Sequence, residues 1–274
     1  MLTLLLALTA YATPLLVLDD PAGPWLQLPL PMAEVERIAA LPDGGPWAGE
    51  GPYARTVSID RVGDVVPGAT VSTTAGVCEV IGFYLLDRTL DDGARSGHEG
   101  DPTVCTAPAI AARLRCDEAP GPVALVGSRA PRAFTESPAS DAERDAAVHA
   151  TSADVDRMVA PHPEATRDVQ ITRWTLDDRA VLLVRAEAWT GEREWGCGRE
   201  AFYVVGWAVL DAATRRPVIP FTAGAPGPVL DGVFDSGRDG GVDVLVRDLG
   251  GDWLIGPGGL QITRADQQVC ICVC

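Results

Sequence analysis

Short segments in which apolar and polar residues alternate account for most of this chain. Valine, isoleucine and threonine are frequent in these segments, and glycine or proline bounds most of them. Because side chains alternate between the two faces of a strand, this pattern predicts strands with one buried face. The predicted strands are residues 14–18, 25–30, 55–60, 69–74, 77–86, 103–115, 122–127, 168–176, 179–189, 200–210, 228–234, 241–247, 252–256, 259–264 and 268–273.

Helical patterns occur at two places. Segment 31–41 begins with proline, carries glutamates in its first turn and precedes another proline, so it predicts a short helix. Ser140 and Glu143 form an S-x-x-E capping box, which predicts a helix that runs through Ala150 or further. The spacing of valines beyond that point predicts a second helical piece that ends before Pro161.

These elements predict a mostly β fold of the α+β class with two regions. Residues 13–127 read as an N-terminal, antiparallel β-domain. Residues 128–140 are rich in proline, serine and alanine, which predicts a linker. Residues 141–274 then predict a sheet-rich C-terminal domain with a short helical segment at its start.

The first twelve residues form a leucine-rich segment that ends in Ala10-Tyr11-Ala12, a small-x-small pattern. An apolar core before such a pattern predicts a signal peptide over residues 1–12 and an extracellular or periplasmic protein. The segment is shorter than the ~20 residues that span a bilayer, so no transmembrane span is predicted. The alternative is a buried N-terminal strand or helix.

Composition narrows the classes of partner. Hydrophobic residues at 47% and charged residues at 22% are typical of a folded globular protein. The formal net charge of −16 argues against nucleic-acid binding, which needs a basic surface that displaces counterions. The lack of lysine and asparagine indicates a GC-rich bacterial genome. An envelope or surface partner remains open for such an acidic, exported chain.

Residues 235–243 (DSGRDGGVD) carry the clearest chemistry in the sequence. Asp235, Asp239 and Asp243 take positions 1, 5 and 9 of a D-x-D-x-D-G-type loop, and Gly240 takes the sharp-turn position 6. Calcium binds six to eight oxygens at about 2.3–2.6 Å, which a tight loop of carboxylates and carbonyls can supply. Apolar runs on both sides predict that the loop joins two strands.

This loop resembles the calcium loops of FG-GAP repeats, which occur in integrin α-chains and in many secreted bacterial proteins. The resemblance covers residues 233–246 in one copy, and Asp243-Val-Leu-Val matches the strand that follows the motif. It implies a calcium ion held by the three aspartates. At position 3, however, Gly237 offers no side-chain oxygen, and Arg238 adds a cation. The alternative is a calcium-free hairpin that keeps an acidic turn.

Few catalytic patterns are present. Val233–Gly237 also matches the hydrophobic-Asp-Ser-Gly signature of aspartic proteases, which need two carboxyl groups that share a proton. With a single copy, Asp235 would have to pair across a homodimer. The sequence has no G-x-S-x-G, H-E-x-x-H or P-loop pattern, and His98, His149 and His162 lack the spacing of metal ligands.

Seven cysteines in an exported chain predict up to three disulfides and one remaining thiol. Pairing within each region predicts Cys105 with Cys116, and Cys197 with Cys270 or Cys272. The C-terminal tail carries Cys270, Cys272 and Cys274, whose number raises the question of a zinc site. In a strand these alternate residues would lie about 6.6 Å apart, whereas thiolates on one zinc ion lie about 3.8 Å apart. The tail cysteines are therefore expected to pack as small apolar residues or to form disulfides.

Three functional hypotheses follow. The first is a secreted or periplasmic β-rich protein without catalysis, acting as a binding, adhesion or envelope-associated module that calcium stabilises. The alternative is an extracellular hydrolase whose carboxylates come from scattered acids and the acidic segment 87–102, because glycosidase carboxylates have no local signature. The third is a subunit that self-assembles through its cysteine-rich tail.

Overall fold

The structure is a computed structural model, and it describes residues 13–20, 23–39, 54–87, 90–91, 104–105, 108–191, 202–224, 229–248, 251–259 and 261–266. Within these ranges the chain is mostly β, with antiparallel sheets and two α-helices. The mostly β (α+β) fold expected from the alternating pattern is therefore confirmed.

The N-terminal half builds a sheet that closes on itself. Its elements are β1 (Leu15–Asp20), β2 (Gly23–Gln27), α1 (Met32–Ala39), β3 (Ala54–Thr56), β4 (Thr70–Thr73), β5 (Val77–Asp87), β6 (Leu90–Asp91), β7 (Val104–Cys105), β8 (Pro108–Cys116) and β9 (Val123–Val126). Strand β5 pairs with β4 on one side and with β8 on the other, and the remaining ladders run β4–β9–β1–β2–β8. Each of these six strands thus has two neighbours in the closed sheet, and β3 pairs with the second half of β5.

A bulge in β5 decides which of its side chains enter the core of this closed sheet. Cys78 and Val80 are buried there before the bulge, and Phe83 and Leu85 are buried there after it. One extra residue directly after Val80 shifts the two-residue alternation by one position. As a result Ile81 is 41% exposed although it lies in a central strand. Helix α1 packs its apolar side onto the same core.

The disulfide in this half joins Cys78 to Cys116, with the two Cα atoms 4.3 Å apart. Cys116 was expected to pair with Cys105, and that prediction is wrong. The two bonded residues lie directly opposite each other in the β5–β8 ladder, whereas Cys105 lies in β7, which pairs with β6. The second predicted bridge, between Cys197 and Cys270 or Cys272, lies outside the described residues and stays a prediction.

The C-terminal half contains two five-stranded antiparallel sheets and the longer helix. The strands β11, β12, β13, β14 and β15 follow one another in order and form what we call the meander sheet. The order β10–β16–β17–β18–β19 forms the hairpin sheet. The elements are β10 (Arg132–Ala133), β11 (Thr135–Pro138), α2 (Asp141–Val159), β12 (Thr166–Leu176), β13 (Arg179–Trp189), β14 (Tyr203–Asp211), β15 (Pro217–Gly224), β16 (Val229–Asp235), β17 (Asp243–Asp248), β18 (Gly251–Ile255), a 3-10 helix (Pro257–Gly259) and β19 (Gln261–Asp266).

The capping box expected at the start of α2 is confirmed. The Ser140 hydroxyl accepts a hydrogen bond from the Glu143 backbone N–H at 3.4 Å, and the Glu143 carboxylate accepts one from the Ser140 N–H at 2.9 Å. These contacts satisfy two amide donors that a helix N-terminus otherwise leaves open. The helix then runs without a break to Val159, where two shorter pieces were expected.

Two apolar layers build the C-terminal half, and a third joins it to the N-terminal half. The inner faces of the meander and hairpin sheets meet around Leu183, Trp207 and Val244. The outer face of the meander sheet packs against α2 through alanines, leucines and valines. The outer face of the hairpin sheet packs Phe234 against Leu16 of the closed sheet. The order of layers is therefore closed sheet, hairpin sheet, meander sheet and α2.

Two segments differ from the sequence-based expectation. Residues 128–140, expected to form a linker, contain β10 and β11, which pair with different sheets and place Phe134 in the core between them. Strand β15 was not predicted, because Pro217 and Pro220 interrupt its pattern. Proline is tolerated there because β15 is an edge strand, where an N–H donor is dispensable.

No helix in the described ranges combines the length and the apolar character needed to cross a membrane.

Candidate functional site

The acidic loop expected from the sequence connects β16 to β17, so the predicted hairpin is confirmed. Two turn residues have positive φ, Arg238 at 55° and Gly240 at 81°. Glycine adopts that conformation without steric cost, which explains the glycine at the sixth position of the loop. The loop begins at Asp235 and ends at Asp243, and both side chains are almost completely buried.

Asp235 is held from two directions. Its Oδ2 atom accepts a hydrogen bond from Arg132 Nη2 at 3.2 Å, and its Oδ1 atom accepts one from the Gly240 backbone N–H at 3.2 Å. Arg132 also donates to Asp177 at 2.7 Å, so one guanidinium ties the turn between β12 and β13 to the hairpin. The carboxylate that opens the loop therefore already has a cation beside it.

Asp243 closes the loop with a second set of contacts. Its Oδ2 atom accepts hydrogen bonds from the Ser236 backbone N–H at 3.0 Å and from the Ser236 hydroxyl. Burial raises the pKa of Asp243 above its ordinary value, and the negative charges of Asp239 and Asp235 add to the rise against the opposing hydrogen bonds from Ser236. Asp239 itself accepts a hydrogen bond from the Gly241 N–H at 2.7 Å.

These contacts use carboxylate oxygens that a calcium ion would need. Within the described residues, no group of three or more histidine, cysteine, aspartate or glutamate side chains is arranged to hold a metal ion. The same contacts would also hold the acidic turn without an ion, which is the alternative to a calcium loop given above. Calcium binding at Asp235, Asp239 and Asp243 stays a prediction. An aspartic protease would require a second carboxyl group beside Asp235, whereas the charged partner of Asp235 is the Arg132 guanidinium.

A cleft of about 510 Å³ opens between the meander sheet and the hairpin sheet. Its floor comes from neighbouring strands of the meander sheet, and one wall comes from residues 229–231 at the start of β16. Half of the floor residues are charged or carry an amide, which is unusual for the space between two packed sheets. The floor residues are Glu136, Gln170, Thr172, Trp174, Leu183 and Arg185.

Strand register explains why these side chains lie together. Residues directly opposite each other in an antiparallel ladder point to the same face. Glu136 lies opposite Trp174 in the β11–β12 ladder, and Gln170 lies opposite Arg185 in the β12–β13 ladder. Arg173, between two of the floor residues, points to the other face and contacts Glu143 of α2.

Three floor side chains are fixed by contacts with neighbouring side chains of the protein. Trp174 Nε1 donates to Thr172 Oγ1 at 2.8 Å, which orients the indole ring. Gln170 Nε2 donates to Asp168 Oδ2 at 3.0 Å. Arg185 forms an ion pair with Glu187, whose side chain is only 3% exposed. The aromatic ring, the amide and the guanidinium are thus held in place before any ligand arrives.

The cleft was missed by the sequence analysis because its residues come from four strands that no local motif connects. One signal was available in the sequence. Arg185 and Glu187 occupy inward positions of β13, a strand whose other inward positions, such as Val181 and Leu183, are apolar. Charged residues at positions that should face a core indicate a site or a buried ion pair.

Comparison with known proteins gives no functional information about this chain. No protein-family model matches the sequence, and no curated protein and no solved structure gives a significant match. The likeness to FG-GAP repeats therefore rests on the loop motif itself.

Proposed function

We propose that this chain is an exported, non-catalytic binding protein whose ligand site is the cleft between the meander and hairpin sheets. The observation that carries the proposal is the lining of that cleft. It combines an aromatic ring, Trp174, with an amide, a guanidinium and two carboxylates. Ligand sites typically pair apolar surface with a few placed polar groups in this way.

The fixed orientation of the floor supports binding. Trp174, Gln170 and Arg185 each have an intramolecular partner that restricts their rotamers. A ligand that meets side chains already ordered loses less conformational entropy on binding. Five of the six floor residues lie on β12 and β13, which are paired on both sides and move less than loops.

Export is supported by redox chemistry and charge. The Cys78–Cys116 disulfide fits the periplasm or the exterior of a cell, where such bonds persist. The net charge of −16 keeps a protein soluble there and disfavours nucleic acid as a partner. An envelope or surface component is the kind of partner that this location offers. Calcium is a separate prediction about the hairpin turn and is not needed for the cleft to bind.

An extracellular hydrolase is the second candidate, because Glu136 and Asp231 both line the cleft. Paired carboxyl groups across a cleft are the requirement of glycoside hydrolysis. Asp231 forms an ion pair with Arg247, whose Nη2 lies 3.1 Å from Asp231 Oδ2. The acidic segment 87–102, the other source of acids expected from the sequence, lies mostly outside the described residues.

A ligand panel tests the proposal on the full chain. Thermal unfolding is measured with neutral oligosaccharides, short peptides, fatty acids and nucleotides, and each ligand is recovered and analysed by mass spectrometry. The variants are Trp174→Ala in the cleft and Arg173→Gln on the opposite face of the same strand. We expect one class to raise Tm in the wild type and in Arg173→Gln, to have no effect on Trp174→Ala, and to be recovered unchanged.

Two results would overturn the proposal. One is that no ligand class stabilises the protein. The other is that a ligand bound at the cleft is recovered cleaved, and that Glu136→Gln or Asp231→Asn abolishes the cleavage. The second result would establish the hydrolase in place of the binding protein.

A further inference from the structure

We infer that the cleft takes a neutral polyhydroxylated ligand, specifically a segment of an oligosaccharide. This inference rests on the proposed binding function and adds the chemical class of the ligand. A sugar ring offers an apolar face of C–H groups and a rim of hydroxyls that both donate and accept hydrogen bonds. The cleft presents a surface that matches each part.

The apolar face of a sugar would meet Trp174. The indole is half-buried against the core between the two sheets, and its N–H is occupied by Thr172, so the ring has one fixed orientation. A fixed aromatic surface binds C–H groups through dispersion and its negative π face. Leu183, opposite Thr172 in the ladder, extends this apolar part of the floor.

The hydroxyl rim would meet planar polar groups. Gln170 and Arg185 lie side by side in the β12–β13 ladder, and Glu136 lies next to Trp174 on the other side. A guanidinium, an amide and a carboxylate each present two hydrogen-bonding atoms in one plane, which suits a pair of neighbouring hydroxyls. Because Glu187 already anchors Arg185, the guanidinium is positioned without a ligand.

The same lining disfavours other ligand classes. Glu136 and Asp231 repel anions, and the net charge of −16 extends that repulsion over the whole molecule. The polar floor is a poor environment for a fatty acid, because its polar groups would lose water without gaining partners. A peptide that binds as an added strand could pair with the edge strand β11 or with the first half of β16, but not over the floor itself, because β12 and β13 are paired on both sides.

Isothermal titration calorimetry with defined tetramers tests the inference. The probes are maltotetraose, cellotetraose and N-acetylchitotetraose, with tetragalacturonate as an anionic sugar and tetra-alanine as a peptide. We expect at least one neutral tetramer to bind the wild-type chain. Trp174→Ala should weaken that binding by about tenfold or more, and Trp174→Phe should weaken it less because an aromatic ring remains.

Two further variants separate the cleft from general effects on folding. Gln170→Ala removes an exposed amide from the hydroxyl-binding rim and should weaken the binding of the neutral tetramer by about three- to tenfold. Arg173 points towards α2 and away from the cleft, so Arg173→Gln should leave the affinity unchanged. Both variants keep the inference testable if Trp174→Ala fails to fold.

The possible outcomes distinguish this inference from the function on which it rests. Binding of a neutral tetramer that Trp174→Ala and Trp174→Phe weaken supports both. If the peptide or the anionic sugar binds at the cleft and no neutral tetramer does, the binding function stands and the inference is overturned. If no tetramer and no member of the wider ligand panel binds, both are overturned.

Discussion

Two aspartates of this chain have their pKa values moved in opposite directions by their surroundings. Burial raises the pKa of Asp243, and its two acidic neighbours, Asp239 and Asp235, raise it further. Asp211 lies in a turn where the Thr214 backbone N–H, the Thr214 hydroxyl and the Ala213 N–H lower its pKa. Both residues are therefore sensitive probes of how folding depends on pH.

Replacing Asp243 by asparagine should change the pH dependence of stability. A carboxyl group whose pKa is raised by folding binds its proton more tightly in the native state than in the unfolded state. Its contribution to stability therefore falls as pH rises from the unfolded-state pKa through the folded-state pKa. The free energy of unfolding of the wild type should therefore improve relative to Asp243→Asn as pH is lowered from neutral towards the ordinary range of aspartate. Urea unfolding at several pH values measures this difference.

The Asp211→Asn variant is the matched control, with the opposite sign. A lowered pKa gives stability that is present above the unfolded-state pKa and is lost as pH falls. The advantage of the wild type over Asp211→Asn should thus shrink at low pH. Parallel pH profiles for the two variants would contradict the assignment of opposite shifts.

The sequence predicted the position of the acidic turn but not its chemistry. Strand patterns on both sides placed Asp235, Asp239 and Asp243 in a hairpin, and the hairpin is present. The partner of Asp235 is Arg132, 103 residues earlier in the chain, which no local spacing indicates. The prediction that Cys116 pairs with Cys105 failed for the same reason, since only the ladder between β5 and β8 brings Cys78 and Cys116 together.

Individual helices and strands were predictable from the sequence where the element carried a local pattern of its own. The capping box of α2 and the eleven-residue strands β12 and β13 were readable because their patterns are local and long. Strand β15 was not readable, since an edge position permits prolines that argue against a strand elsewhere. The cleft was beyond sequence reasoning because it depends on how two sheets are placed.

The contact of α2 with β14 and β15 leads to a prediction about Gly206. A Cβ atom at this position would lie 2.8 Å from Met158 Sδ and closer still to the ring of Phe221. Gly206→Ala should therefore destabilise the fold by about 1–3 kcal/mol, as overpacked cores do. Urea unfolding measures the loss. Gly76→Ala is the control, because no heavy atom lies within 4 Å of its added Cβ and its stability should be nearly unchanged.

The β16–β17 hairpin leads to a prediction about calcium. The carboxylates of Asp235, Asp239 and Asp243 already accept hydrogen bonds from the chain, and Arg132 places a cation beside the first of them. If the turn forms without an ion, millimolar calcium should shift Tm no more in the wild type than in Asp239→Ala, with chelator as the reference. An increase of several degrees in the wild type that Asp239→Ala removes would instead establish the calcium loop implied by the FG-GAP resemblance.

The arrangement of the whole molecule places the hairpin sheet between two different partners. One face packs on the meander sheet and the other on the closed N-terminal sheet, through Phe234, Leu245 and Leu254. Both faces of a central sheet must then be apolar, which explains the near-continuous apolar run Val242–Val246 interrupted only by Asp243. The cleft lies between the two C-terminal sheets of this stack and is lined by residues of both.

The Cys78–Cys116 disulfide links β5 to β8, the two strands whose pairing closes the N-terminal sheet. It spans 38 residues, and a cross-link of that span should contribute about 3–4 kcal/mol by restricting the unfolded chain. The double variant Cys78→Ala/Cys116→Ala should lose about that amount in urea unfolding, and reductant should destabilise the wild type far more than the variant. Mass spectrometry of a non-reduced digest should recover the two cysteines in one linked peptide. A peptide that links Cys116 to Cys105 instead would contradict the β5–β8 ladder itself, because that ladder places Cys78 directly opposite Cys116.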